Sequence, residues 1–392
     1  MNKERVNEIL ELSIGLAKKK EFESYDVSGV KTPSSLIMAR KIPIPIIRKV
    51  LVYGLQYIIR YYPGIVRFLS SKPKYIYPQG QAIFIRGQIE LLKKNNQLGD
   101  IDLVKKIADW LIKNRSKGYD NFCWGQPFLW QSRKPFPPNL PRATVTSQVA
   151  WAFIDLYNYT SETEYLDVAI SACNFFIEDL NHTPDADGDF CFSYTTIDNY
   201  HIHNASLLAA AVLMRVGTMI SNEQFIEHAV RATNFSIKHQ NSDGSWYYWA
   251  PPDKINYAID NYHTGFNLES LQVIIKDHKN SDFEHAYKIG LEYYFNNLFD
   301  GVIPKCTHKS IYPIDIQGCA QSIITFALDV SGDEKFMKKA KEIVAYTNDT
   351  FFIEKKKHFA FRIYANSKTD KSYYFRWGDA WMIRALAIMS DK

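Results

Sequence analysis

The sequence predicts an all-α fold, an (α/α)6 toroid of repeated helix pairs with short aromatic hairpins on one rim. Three observations carry this expectation. First, segments that open with small and polar residues and continue strongly apolar recur about every 54 to 67 residues. They start at Gln79-Gly80-Gln81, Thr146-Ser147-Gln148, His203-Asn204-Ala205, His263-Thr264-Gly265, Gln317-Gly318-Cys319 and Trp377-Gly378-Asp379. Second, a more charged, amphipathic segment follows the first five of these, at roughly 101–116, 162–180, 222–240, 281–298 and 333–348. Third, Asp198-Asn199-Tyr200-His201 recurs as Asp260-Asn261-Tyr262-His263. A fixed period of this length marks a repeat architecture. An open solenoid and an irregular all-α domain remain alternatives. Six apolar first helices favour a ring, because helices apolar all round must be buried on all sides.

The division expected is a basic helical region over 1–75, which supplies the sixth outer helix, and the toroid over 76–392. At 392 residues the chain can hold one large domain or two ordinary ones. The N-terminal region has a charge pattern of its own. Between Val27 and Ile89 there is no Asp or Glu but ten Lys and Arg, while the remainder of the chain is net acidic. Within it, Ile42–Leu69 places Ile47, Val50, Leu51, Leu55, Ile58 and Ile59 at helical spacing, with Lys49, Gln56 and Arg60 on another face. Such a basic amphipathic helix suits an anionic membrane surface. The plainer expectation is a helix packed on the domain with a solvated basic face. No nucleic-acid motif is present. No apolar run of about 18 residues is long enough to span a bilayer, and Met1–Lys20 lacks the core of a signal peptide.

Five cysteines, an odd number without a Cys-x-x-Cys pair, argue against a disulfide framework or zinc ribbon. They fit a reducing compartment, the cytoplasm. No metal or other cofactor is expected. Asp185-Ala186-Asp187-Gly188-Asp189 departs from a calcium loop because its glycine comes too early and Thr196 stands where the closing glutamate belongs. Asp187-Gly188 and Asp243-Gly244, each followed by aromatics, read as hairpin turns.

In a closed ring all six polar first turns converge on one depression, together with their exposed N–H groups. The candidate site is therefore the rim. Its carboxylates include Asp185, Asp187, Asp189, Asp198, Asp243, Asp260, Asp315 and Asp379, with Glu269 further down its helix. Asp260 and Asp315 also sit where helix N-caps belong. Histidines His201, His203 and His263 lie at inner-helix starts, where the dipole disfavours imidazolium and leaves a neutral ring able to accept a proton. Asn204, Gln81, Gln148, Gln317 and Gln321 are neutral groups of the kind that hold sugar hydroxyls. Trp246, Tyr248 and Trp377 offer stacking faces, and Arg376 can clamp a carboxylate bidentately.

Two stretches resemble the helical C-terminal domain of D-glucuronyl C5-epimerases. Gln79-Gly80-Gln81-Ala82 is similar to a helix opening there, and Asn261-Tyr262-His263-Thr264, followed by Leu268 and Leu271-Gln272, is similar to a later Asp-Tyr-His-Thr stretch. Asn261 replaces the family's Asp. The family's Tyr-Asp-Leu-Arg-His stretch and its preceding β-rich region have no counterpart. The repeated helices also resemble toroid proteins of polysaccharide biosynthesis and terpenoid cyclases. The resemblance implies an oligo- or polysaccharide substrate containing uronic acid, free or lipid-linked, handled by removal of the C5 proton. It makes Tyr262 and His263 the acid and base candidates, Asp260 an orienting group, and His203 a further catalytic candidate. Arg376, Asn204 and Gln317 would then hold the carboxylate. The expected role is a cytoplasmic epimerase or lyase of bacterial surface-polysaccharide synthesis, at the inner face of the membrane through residues 42–69. The alternatives are a glycoside hydrolase, a terpenoid-cyclase-like enzyme and a non-catalytic glycan-binding toroid.

Overall fold

The computed structural model describes residues 2–27, 38–61, 73–131, 135–253 and 258–392. Six helices form an inner ring: α3 (Pro78–Lys93), α5 (Ala143–Thr160), α7 (His203–Ile220), α9 (Asn261–Asp277), α11 (Ile316–Ala327) and α13 (Asp379–Met389). Each packs on the next, and α13 closes the circle on α3. An outer layer covers them. Helix α4 (Ile101–Lys113) packs on α3, α6 (Thr163–Glu178) on α5, and α8 (Glu223–Lys238) on α7. Helix α10 (Ser281–Asn297) packs on α9, α12 (Glu334–Phe351) on α11, and α1 (Lys3–Lys19) on α13. The architecture is an (α/α)6 toroid.

Sequence pattern sorts the two layers. Along α7 the stretch Leu207–Met214 is buried residue after residue, as befits a helix enclosed on all sides. It is the one helix among the described residues long and apolar enough to cross a membrane, and it lies inside the ring wall. Outer helices bury a single stripe instead: Val104, Ile107, Ala108 and Leu111 on α4. Each fully buried Leu or Phe contributes about 1.5–3 kcal/mol. Five of the six outer helices begin with side-chain caps, such as Asp100 to the Leu103 N–H and Asn222 to the Phe225 N–H, while α6 has none.

The Asp-Gly sites form tight turns without strands. The two turns are equivalent. Asp185 N–H donates to Asp189 O and Gly188 N–H to Asp185 O, as Asn241 N–H does to Ser245 O and Gly244 N–H to Asn241 O. The second turn is stapled to α10: Gln240 Nε2 donates to the Gly244 and Ala286 carbonyls, and the Trp246 ring lies where a Gly290 side chain would stand. With their backbone groups bound this way, neither turn feeds a strand ladder. The short strand pairs lie elsewhere, for example β1 (Trp130–Gln131) with β2 (Pro135–Phe136), and Ile314–Asp315 with Arg362–Ile363.

The segment Ile42–Leu69 forms α2 over Pro45–Tyr61. Its residues 62–69 and the side chains of Gln56, Ile59 and Arg60 lie outside the described residues. All five cysteines are free.

Candidate functional site

The two copies of Asp-Asn-Tyr-His occupy different places. Asp260 is the N-cap of α9, so His263 stands in that helix's first turn. Asp198 instead folds a loop, accepting from the N–H groups of Tyr194 and Tyr200, and α7 begins only at His203. His201 precedes the helix and pairs with Asp253 at 3.3 Å. The identical letters therefore do not make equivalent sites.

A pocket opens where α7 and α9 begin. It is lined by His203 and Asn204 of α7, Trp246, Tyr247 and Tyr248 of the stapled loop, and Asp260, His263, Thr264 and Asn267 of α9. Asp260 Oδ1 accepts the His263 N–H at 3.0 Å, and its Oδ2 lies 2.7 Å from His263 Nδ1. A carboxylate only accepts, so Nδ1 carries the proton, and Nε2 of the neutral ring is left to accept one. The imidazole is held between Tyr262 and Tyr248, with ring centroids at 4.1 and 4.5 Å. Burial raises both phenols well above their ordinary range, so they stay protonated and act as donors.

Three buried polar atoms in this lining, Asn204 Oδ1, Asn267 Oδ1 and His203 Nδ1, have no hydrogen-bond partner among the described residues. Burial, with His239 and His201 nearby, drops His203 to about 3, so its ring is neutral at ordinary pH. These groups point to a ligand rich in hydrogen-bond donors.

Beneath the rim, charges from the inner helices meet. Glu269 accepts from Arg384 Nη2 at 2.5 Å and Gln321 Nε2 at 2.9 Å, while Arg86 bridges to Asp155 at 2.9 Å and stands 3.8 Å from Glu269. Burial alone would raise the Glu269 carboxyl, but Arg384 and Arg86 hold it down at about 2.

The sequence-nominated residues divide accordingly. Asp260, His263, His203, Asn204, Trp246 and Tyr248 share the pocket, with Tyr262 beside them. Trp246 is anchored by its indole N–H to the Ser236 carbonyl. Gln148 and Gln321 are drawn into the charge network below. Gln81 and Gln317 are buried, each with an Oε1 that has no partner among the described residues, but they lie outside the pocket lining. Arg376 is committed to Asp26 at 2.5 and 2.7 Å and to Gln79 at 2.9 Å, and stacks on Trp377. Asp379 is buried at the start of α13, where it accepts the Phe359 N–H. Asn261 braces the wall, bonded to Leu298 O, Tyr294 and Ser322.

Sequence reading picked out Tyr247 among the rim tyrosines but missed Thr264 and Asn267. Asn267 was detectable, since it lies four residues after His263 on the same helix face. It also missed Arg86 and Arg384, isolated charges in apolar helices, which must find partners inside. The acidic trio Asp185, Asp187 and Asp189 gathers closely enough to suit a cation, but Lys238 already sits on all three carboxylates.

No protein-family model matches the chain, and no curated protein matches it in sequence. Its fold is similar to that of cellobiose 2-epimerase from Bacillus thermoamylovorans, with TM-score 0.64 and 11% identity over 80% of this chain and 87% of that one. The GH76 α-mannanase of Bacteroides thetaiotaomicron gives TM-score 0.60 and 13% identity over 80% and 85%. An unsaturated glucuronyl hydrolase specific for heparin gives 0.58 and 14% over 81% and 88%. At such identities the similarity defines the fold. The chain is thus an (α/α)6 toroid whose structural neighbours include carbohydrate-processing enzymes.

Proposed function

We propose that this protein is a carbohydrate-active enzyme that moves a proton at a sugar carbon, with His263 as base and Asp260 as its orienting partner. The observation that carries this is the 2.7 Å contact between His263 Nδ1 and Asp260 Oδ2, beside a pocket where Asn204 Oδ1 and Asn267 Oδ1 have no partner among the described residues. On a uronic-acid glycan, His263 Nε2 takes the C5 proton and the electron pair moves into the adjacent carboxylate. Return of a proton to the opposite face, from Tyr262 or Tyr248, inverts C5; departure of the C4 substituent gives an unsaturated product instead. The resemblance around Tyr262-His263 favours the uronate, within surface-polysaccharide biosynthesis in the cytoplasm. Hydrolysis needs two available carboxylates. Asp260 and Asp315 are poorly suited, since both cap helices and pair with His263 and Arg362.

A second reading rests on Arg376. Its pairing with Asp26 and Gln79 takes up the guanidinium nominated for the uronate carboxylate. A pocket of amides and hydroxyls also suits a neutral oligosaccharide, epimerised beside its reducing-end carbonyl by the same proton transfer.

Incubation of the full chain in D2O with uronate polymers and with neutral disaccharides separates these readings. Deuterium at uronate C5 without cleavage supports the first, and a new ultraviolet-absorbing product supports its lyase form. Deuterium beside the carbonyl of a neutral sugar supports the second. Reducing ends without deuterium, or binding without turnover, would overturn the proton-transfer proposal.

A further inference from the structure

Helix α2 turns its apolar side outward. Ile46, Val50, Tyr53 and Tyr57 follow one another at spacings of four, three and four, with Ile47, Leu51 and Ile58 beside them on the same broad face. These seven side chains are 41% (Ile58) to 76% (Ile46) exposed. A helix resting on a soluble ring does the opposite, burying this arc and solvating its charges. Arg48 and Lys49 lie off the arc and are exposed as well. Apart from Arg86, which is paired with Asp155 inside the ring, the chain between Val27 and Ile89 adds seven further Lys and Arg and contains no carboxylate.

We infer that α2 is a docking surface for an anionic lipid membrane, lying in the plane of the interface. Its apolar face enters the acyl boundary, and the surrounding cations meet headgroup phosphates. Charge selects this occupant. A purely apolar protein groove would leave the basic residues of this carboxylate-free stretch unexplained, and pairing with α2 of a second copy would bring two such stretches together. Among the described residues, α2 at 17 residues is not a helix long and apolar enough to cross a bilayer. Lying flat, it offers a strip about 25 Å long.

The test is co-sedimentation of the full chain with vesicles of phosphatidylcholine containing about one third phosphatidylglycerol, against pure phosphatidylcholine vesicles. The expected result is partitioning that is on the order of tenfold stronger on the anionic vesicles and falls with added salt. The double variant Val50→Asp, Tyr57→Asp should lose on the order of tenfold in that partitioning. Its thermal unfolding should match wild type, because α2 is not one of the helices that close the ring. Failure to bind anionic vesicles, equal binding to both vesicle types, or unchanged binding by the double variant would overturn the inference. So would a wild-type dimer, seen by light scattering without lipid, that the double variant abolishes.

Discussion

Asp260 holds His263 twice. One carboxylate oxygen caps α9 through the His263 N–H at 3.0 Å, and the other fixes the imidazole through Nδ1 at 2.7 Å. A single side chain thereby starts the helix and sets the tautomer of the base. The two duties separate by substitution. Asn caps a helix about as well as Asp, so Asp260→Asn should change stability by no more than about 0.5 kcal/mol. It loses the anion that stabilises the protonated ring, and kcat should fall about 10²–10⁴-fold. Asp260→Ala should show the same loss of kcat and a further drop in stability of about 1 kcal/mol. Steady-state kinetics beside urea unfolding reads both. Wild-type kcat in Asp260→Asn would remove Asp260 from the mechanism.

Glu269 is the anion shared by Arg384 and Arg86 at the centre of the ring. Glu269→Gln leaves those cations short of a counter-charge and should destabilise the fold by about 3–5 kcal/mol. The pH dependence follows from a folded carboxyl held at about 2 against 4.5 in the free state. The stabilisation is present above 4.5 and drains away as pH falls toward 2, since the unfolded chain takes up the proton first. Urea midpoints across that window should slope for the wild type and flatten for Glu269→Gln.

Gly244 sits at φ 89° in the turn stapled to α10, and a Cβ there would collide with the Ile289 carbonyl. Gly118 shares the conformation, at φ 88°, but faces open space. Gly118→Ala should therefore lose about 1 kcal/mol, from the left-handed backbone alone. Gly244→Ala should lose about 2–4 kcal/mol, because overpacking adds to the strain. Because the same loop carries Trp246 and Tyr248 into the pocket, Gly244→Ala should also raise KM. Equal losses for the two variants would mean that the turn does not need its close approach to α10.

Much of the ring could be read from the sequence because burial leaves a period. The inner helix starts and the outer stripes stand out as alternations of small-polar, apolar and charged residues. The site was legible only in part. Asp260, Tyr262 and His263 are neighbours in sequence as well as in space, so their cluster was visible. Asp26 lies 350 residues from its partner Arg376, and Arg86 lies 183 residues before Glu269. Only ring closure brings such groups together, so nothing local showed that Arg376 was already paired. The echo at Asp198–His201 misled for the converse reason: identical letters fold differently where the helix starts five residues after the Asp instead of one.

Asp379 opens α13, where the helix dipole favours an anion. Burial outweighs both the dipole and the Phe359 N–H, and pushes the carboxyl up to about 8. Its Oδ2 has no partner among the described residues. Between the free value of 3.8 and about 8 the folded state therefore binds a proton that the unfolded chain has released. The contribution of Asp379 to stability is fully present below 3.8 and is lost as pH rises through 8, with a maximum slope of about 1.4 kcal/mol per pH unit. Asp379→Asn mimics the protonated form and removes that slope. The variant should match the wild type at pH 4, gain on it steadily through neutrality, and hold a constant advantage above pH 8. Urea unfolding of both proteins at intervals from pH 4 to 9 measures the difference. Parallel curves would show that the carboxyl ionises normally in the folded protein.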